Sequence, residues 1–154
     1  MEYQVRHGMA DIEPKLNLYS AVRERGAPVK GFFSGVFLAA AFVAVIHGTP
    51  APYGRQVVAL FLAFTACVYA GALLNQSASG LVIVAELVVA ALVFGMAALG
   101  LGVSPLWLAA GYALHGAWDC IHHPRAVPTQ VAAWFPPFCA AFDFVVALFV
   151  ILML

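Results

Sequence analysis

Three of the five histidines lie in one nine-residue run, HGAWDCIHH (residues 115–123), with Asp119 between them. Side chains three or four positions apart on a helix share a face, where imidazole and carboxylate groups can bind one divalent metal. His115, Asp119 and His122 fall on such a face, and His123 lies beside it. We therefore predict His115, Asp119, His122 and His123 as metal ligands. Their nitrogen and oxygen donors suit zinc or iron.

The run ends an apolar stretch, and two more acids, Glu86 and Asp143, stand alone in other apolar stretches. An ionisable group in hydrocarbon is costly unless it is paired, hydrated or bound to a metal. We predict Glu86, Asp119 and Asp143 as catalytic residues that ligate the metal or act as a general base. The alternative is that the acids are hydrogen-bonded between helices and the histidines lie at the headgroup boundary.

The composition of the chain identifies the environment of these residues. Hydrophobic residues make up 64% of the sequence and charged residues 9%, with a mean hydropathy of +0.97. These values are typical of a polytopic membrane protein. Seven basic and seven acidic residues give no net charge, which does not favour nucleic-acid binding. Five of the basic residues precede the first long apolar run, which predicts a cytoplasmic N-terminus.

Five apolar runs of about 20 residues, the length that a helix needs to cross a bilayer, predict an all-α bundle of about five transmembrane helices. We place the bundle at 31–154, after a polar segment (1–30) that is either partly an interfacial helix or a disordered tail. The predicted spans are 31–49, 56–75, 80–102, 104–123 and 136–154.

A cytoplasmic N-terminus sets the depth of each polar residue in these spans. Spans two and four then run inward, and a helix rises about 1.5 Å per residue. Glu86, Asp119 and Asp143 fall in one slab of the inner leaflet, with Tyr69 at a similar depth and His47 at the opposite face. We therefore predict one site shared by several helices.

Two segments, SPLWLAAGYALHGAWDCIHHP (104–124) and AWFPPFCAAFDFVVAL (133–148), resemble a family of small, uncharacterised bacterial integral membrane proteins. Its members share HGxWDxxHH at the end of one helix and PPxCxxFD at the start of the next. The resemblance implies a multi-pass protein of the bacterial cytoplasmic membrane and assigns no reaction. The positions that it marks are His115, Trp118, Asp119, His122, His123, Pro137, Cys139 and Asp143.

Two functions from different classes fit this sequence. The first is a membrane-embedded, metal-dependent enzyme that acts on a lipid or another hydrophobic substrate, with hydrolysis favoured. The second is a non-catalytic accessory subunit of a larger membrane complex, whose histidines ligate a pigment or haem or bond between helices. A proton or metal-ion conduit is a weaker third hypothesis, because we find no polar groups continuing into the outer half of the spans. The oligomeric state stays open.

Overall fold

A computed structural model describes residues 12–123 and 126–153, with side chains described from residue 26 onward. This part of the chain is helical and contains no strand, so the all-α prediction is confirmed for it. The helices are α1 (Ile12–His47), α2 (Ala51–Thr65), α3 (Cys67–Ala72), α4 (Gly80–Gly102), α5 (Leu106–His122) and α6 (Phe135–Met153), with a 3₁₀ turn at Leu73–Asn75 after α3.

Four helical stretches are long and apolar enough to cross a membrane by length and composition: Gly26–His47, Ala51–Asn75, Gly80–Gly102 and Phe135–Met153. The second combines α2, α3 and the 3₁₀ turn, since Ala66 between them keeps right-handed helical angles. The remaining predicted span, the fourth (104–123), corresponds to α5, which has 17 residues and carries most of the polar groups. The chain is thus a multi-pass membrane protein.

The N-terminal boundaries differ in detail from the prediction. The predicted start of the first span at residue 31 falls within a continuous helix, since the backbone is helical from Ile12 to His47. The predicted boundary at residue 30 falls within α1 and stays a prediction, while residues 1–11 lie outside the described part.

The bundle is arranged around α5 and α6, which carry His115, Asp119 and Asp143. α6 packs between α1 and α5, and α4 packs against α5 and α2. At one end, the amide of Gln130 donates to Gln76 Oε1 over 2.7 Å; at the other, Arg55 donates to the carbonyl of Leu101 over 2.8 Å. These contacts fit spans that alternate in direction, as predicted from the short connections.

Glycines allow the helices that carry the site to approach each other closely. Gly31 and Gly35 of α1 lie against the backbone carbonyls of Trp134 and Phe138, so that a side chain at either glycine would overlap main-chain atoms. On α5, a Cβ at Gly116 would lie 3.2 Å from Asp143 Cβ. Small residues at such positions are the usual means of close helix packing in lipid.

Candidate metal centre

His115, Asp119 and Asp143 form a buried triad between α5 and α6. One ligand-type atom from each residue lies within 4.8 Å of the other two. His115 Nδ1 is 2.6 Å from Asp143 Oδ2 and 3.4 Å from Asp119 Oδ2. The three residues expose 2% of their surface or less. The sequence predicted each of them as a site residue, and the structure brings them together.

Each triad residue keeps one buried polar atom without a hydrogen-bond partner among the described residues. These atoms are His115 Nε2, Asp119 Oδ2 and Asp143 Oδ1. Buried polar atoms are nearly always paired, because an unpaired one loses its hydration without compensation. Three such atoms in one triad indicate a place where a cation or ordered water satisfies the side chains.

Tyr69, on α3, belongs to the same site. Its hydroxyl donates a 2.5 Å hydrogen bond to Asp119 Oδ1, and the side chain is buried. The bond engages the oxygen of Asp119 that does not face His115. The sequence predicts only that Tyr69 lies at the same depth in the bilayer as the acids. Its bond to Asp119 depends on how α3 is rotated against α5, which residue spacing does not reveal.

Glu86 and His122 form a second buried cluster, in which α4 is bonded to α5 and to the loop before α6. His122 Nε2 lies 2.9 Å from Glu86 Oε1, and Nδ1 lies 2.9 Å from the carbonyl of Trp118. Because a carbonyl only accepts, Nδ1 carries a proton and donates it. Trp118 Nε1 donates to Glu86 Oε2 over 2.9 Å, and the hydroxyl of Thr129 donates to Oε1.

The Glu86 cluster differs from the triad in having its hydrogen bonds complete. Both oxygens of Glu86 and both ring nitrogens of His122 have partners. A metal would have to displace these bonds. Thr129 has no signal in the sequence, since its residue type and loop position are ordinary, and Trp118 is marked only by the family motif.

The stripe of metal ligands predicted on α5 is therefore divided between two clusters. His122 lies seven residues after His115, a rise of about 10.5 Å along a helix, whereas ligands of one metal lie a few ångströms apart. His123 is exposed and is not brought into either cluster, and His47 is exposed at the opposite end of the bundle.

The fold and this geometry define a multi-pass helical membrane protein with a buried His/Asp/Asp group that could hold a metal. Residues 31–153 match a family of unknown function (DUF6010), and the chain belongs to that family. The matched range contains the triad and the Glu86 cluster. No curated protein and no solved structure matches the chain.

Proposed function

We propose that this protein is a membrane-embedded, metal-dependent enzyme that hydrolyses a lipid or another hydrophobic substrate, with zinc or iron held by His115, Asp119 and Asp143. The observation that carries the proposal is the buried triad, in which each residue retains an unpartnered polar atom. Two carboxylates and one imidazole have no evident use in hydrocarbon other than to bind a cation or to hydrogen-bond one another.

One distance within the triad fits a metal of this kind. Two ligands about 2.1 Å from a tetrahedral zinc ion lie roughly 3.4 Å apart, and His115 Nδ1 lies 3.4 Å from Asp119 Oδ2. The 2.6 Å separation of His115 from Asp143 is instead that of a hydrogen bond. A cation bound by all three residues takes the place of the proton between these two, so that metal uptake releases a proton.

Three protein ligands leave a coordination position open, as in catalytic zinc sites. A divalent metal there supplies Lewis acidity, which activates water or polarises a carbonyl group. The chain itself holds Asp119 through the hydroxyl of Tyr69 and excludes bulk water, since the triad is almost fully buried. The helices that carry the triad expose apolar side chains such as Ile121 and Phe144, which favours a substrate that dissolves in the bilayer.

Glu86 is not assigned as the general base in this proposal. Its carboxylate receives hydrogen bonds from Trp118 and Thr129 and is hydrogen-bonded to His122. A general base needs a free lone pair within reach of the reacting water. Asp143 keeps such an oxygen, Oδ1, while its Oδ2 faces His115. In this proposal Asp143 is therefore the candidate base, and Asp119, whose oxygens face Tyr69 and His115, serves as a ligand.

Elemental analysis of the detergent-purified full chain tests the metal. We expect about one zinc or iron per chain, lost in Asp119→Asn and Asp143→Asn and retained in His123→Ala, the matched control on the exposed end of α5. A parent chain that binds neither metal, or an Asp119→Asn variant with full metal content, would refute the proposal.

The reaction is tested on extracted bacterial membrane lipids. We expect the metal-loaded parent chain to release products detectable by mass spectrometry, and neither the Asp119→Asn variant nor the chelator-treated parent chain to do so. Equal product release from all three samples would show that the triad does not carry the activity.

One observation favours the accessory-subunit alternative. Each oxygen of Glu86 and each ring nitrogen of His122 has a hydrogen-bond partner, which supports a role in helix packing alone for these buried polar groups. In that case the purified chain lacks metal and co-purifies with larger subunits. Haem or pigment ligation would give an absorption band and depend on His115, because both ring nitrogens of His122 are engaged.

A further inference from the structure

A continuous line of contacts joins the Glu86 cluster to Asp119 of the triad. We propose that Tyr69 is the positioning residue of the metal centre and that the Glu86–His122 pair holds Tyr69 in place. The inference rests on the proposed metal site and adds the residues that fix its geometry. This line of contacts runs from the loop before α6 through Glu86, His122 and Tyr69 to Asp119.

The bond between Tyr69 and Asp119 orients the carboxylate. A carboxylate can rotate about its terminal torsion, so either oxygen could face His115. The hydroxyl of Tyr69 engages Oδ1 over 2.5 Å, which leaves Oδ2 directed at His115, 3.4 Å from Nδ1. Groups that hydrogen-bond to metal ligands in this way set ligand orientation and metal affinity.

His122 fixes the ring of Tyr69. The two rings are stacked, with centroids 3.9 Å apart and planes inclined by 18°. His122 cannot turn away from this position without breaking its bonds to Glu86 and to the carbonyl of Trp118. The stack therefore restricts the ring of Tyr69, and with it the position of the hydroxyl that bonds to Asp119.

The Glu86 cluster is itself hydrogen-bonded to the loop at one end of the bundle. The hydroxyl of Thr129 donates to Glu86. The backbone N–H of the next residue, Gln130, donates to the side chain of Gln76, in the turn between α3 and α4. The loop, α4 and α5 are thus bonded at one place, next to the stacked rings. This explains why two costly buried groups, Glu86 and His122, are placed beside the triad without entering it.

The test is the dissociation constant for zinc alone, measured by chelator competition on the metal-free, detergent-purified full chain. We expect Tyr69→Phe to raise the dissociation constant about 10- to 100-fold, the usual effect of removing a partner of a metal ligand. Tyr112→Phe is the matched control, since its buried hydroxyl donates to the carbonyl of Val58 and not to a residue of either cluster. It should leave the constant unchanged.

A double-mutant cycle tests the role of His122. Because His122 acts through Tyr69, we expect His122→Ala to weaken zinc binding alone but to add little in the Tyr69→Phe background. With cobalt as the probe, the visible spectrum should change in Tyr69→Phe and not in Tyr112→Phe, which a loss of stability alone would not produce.

The outcomes separate this inference from the proposed function. A parent chain that does not bind zinc overturns both. A parent chain that binds zinc, with an unchanged constant and cobalt spectrum in Tyr69→Phe, overturns the positioning role alone, as do fully additive effects of the two substitutions. If Tyr69→Phe does not fold, His122→Ala decides, and an unchanged constant in that variant contradicts the inference.

Discussion

The acids buried in the bundle have the same chemistry but different surroundings, which divide their roles. Glu86 meets an indole, a hydroxyl and an imidazole, so its carboxylate is fully bonded. Asp119 and Asp143 share one histidine, and each retains an unpartnered oxygen. The first arrangement favours stability, and the second favours a bound cation.

We expect Glu86→Ala to destabilise the protein strongly. It leaves the partners of Glu86 buried without a hydrogen bond, at about 1–3 kcal/mol for each unsatisfied group. Thermal unfolding of the detergent-solubilised chain measures the loss. Glu86→Gln is the control, because its amide can still bond to the same neighbours, and it should unfold at a temperature closer to that of the parent chain. A Glu86→Ala variant that unfolds at the same temperature as the parent chain would show that the cluster does not support the fold.

The sequence predicts which residues belong to the site better than it predicts which of them contact each other. The spacing of His115 and Asp119 is enough to place them on one face of α5, one turn apart. Their contact with Asp143, and that of His122 with Glu86, depend on the rotation of neighbouring helices about their own axes. A pattern within one helix does not contain that rotation, so the sequence predicts one ligand set where the structure has two clusters.

Backbone contacts at glycines hold the helices at the distance that the site requires. Gly31 and Gly35 of α1 lie one turn apart, and their backbone touches successive turns at the start of α6. This contact fixes α6 from the side opposite α5, and α6 carries Asp143. Hydropathy predicted the helices and their approximate limits, but it could not show which glycines form contacts, because exposed and packed glycines have the same hydropathy.

We expect Gly31→Ala and Gly35→Ala each to lower stability by roughly 1–3 kcal/mol, the usual effect of overpacking. The added methyl groups meet main-chain atoms, which cannot move aside as a side chain can. Gly26→Ala is the matched control on the same helix, since a Cβ there meets no atom of the described residues within 4 Å. Thermal unfolding in detergent checks the difference, and equal stability of all three variants would contradict this account of the packing.

For the molecule as a whole, the alternation of the helices places the turn at 76–79 and the loop at 126–134 at one end of the bundle. Gly48 and Leu101 lie near the other end, where Arg55 reaches the carbonyl of Leu101. The excess of basic residues before the first long apolar run predicts that the first end is cytoplasmic. The metal site then faces the inner leaflet.

Cysteine labelling of intact cells and inverted vesicles tests this orientation. We expect a membrane-impermeant maleimide to label Ser77→Cys only in inverted vesicles and Ala51→Cys only in cells, because both positions are exposed at opposite ends of the bundle. The native cysteines are replaced by alanine in both variants. The reverse labelling pattern would place the N-terminus outside, and labelling of both positions from one side would contradict the helix arrangement.

X-ray absorption at the zinc or iron edge of the metal-loaded protein tests the central claim most directly, because it counts the ligand types around the ion. The triad predicts nitrogen and oxygen ligands about 2.0–2.2 Å from the metal, with a single imidazole and no sulfur. Asp119→Asn should abolish this signal. Two or more imidazoles would return His122 or His123 to the ligand set, and a sulfur ligand at about 2.3 Å would point to cysteine. Either result would contradict a metal centre built from His115, Asp119 and Asp143.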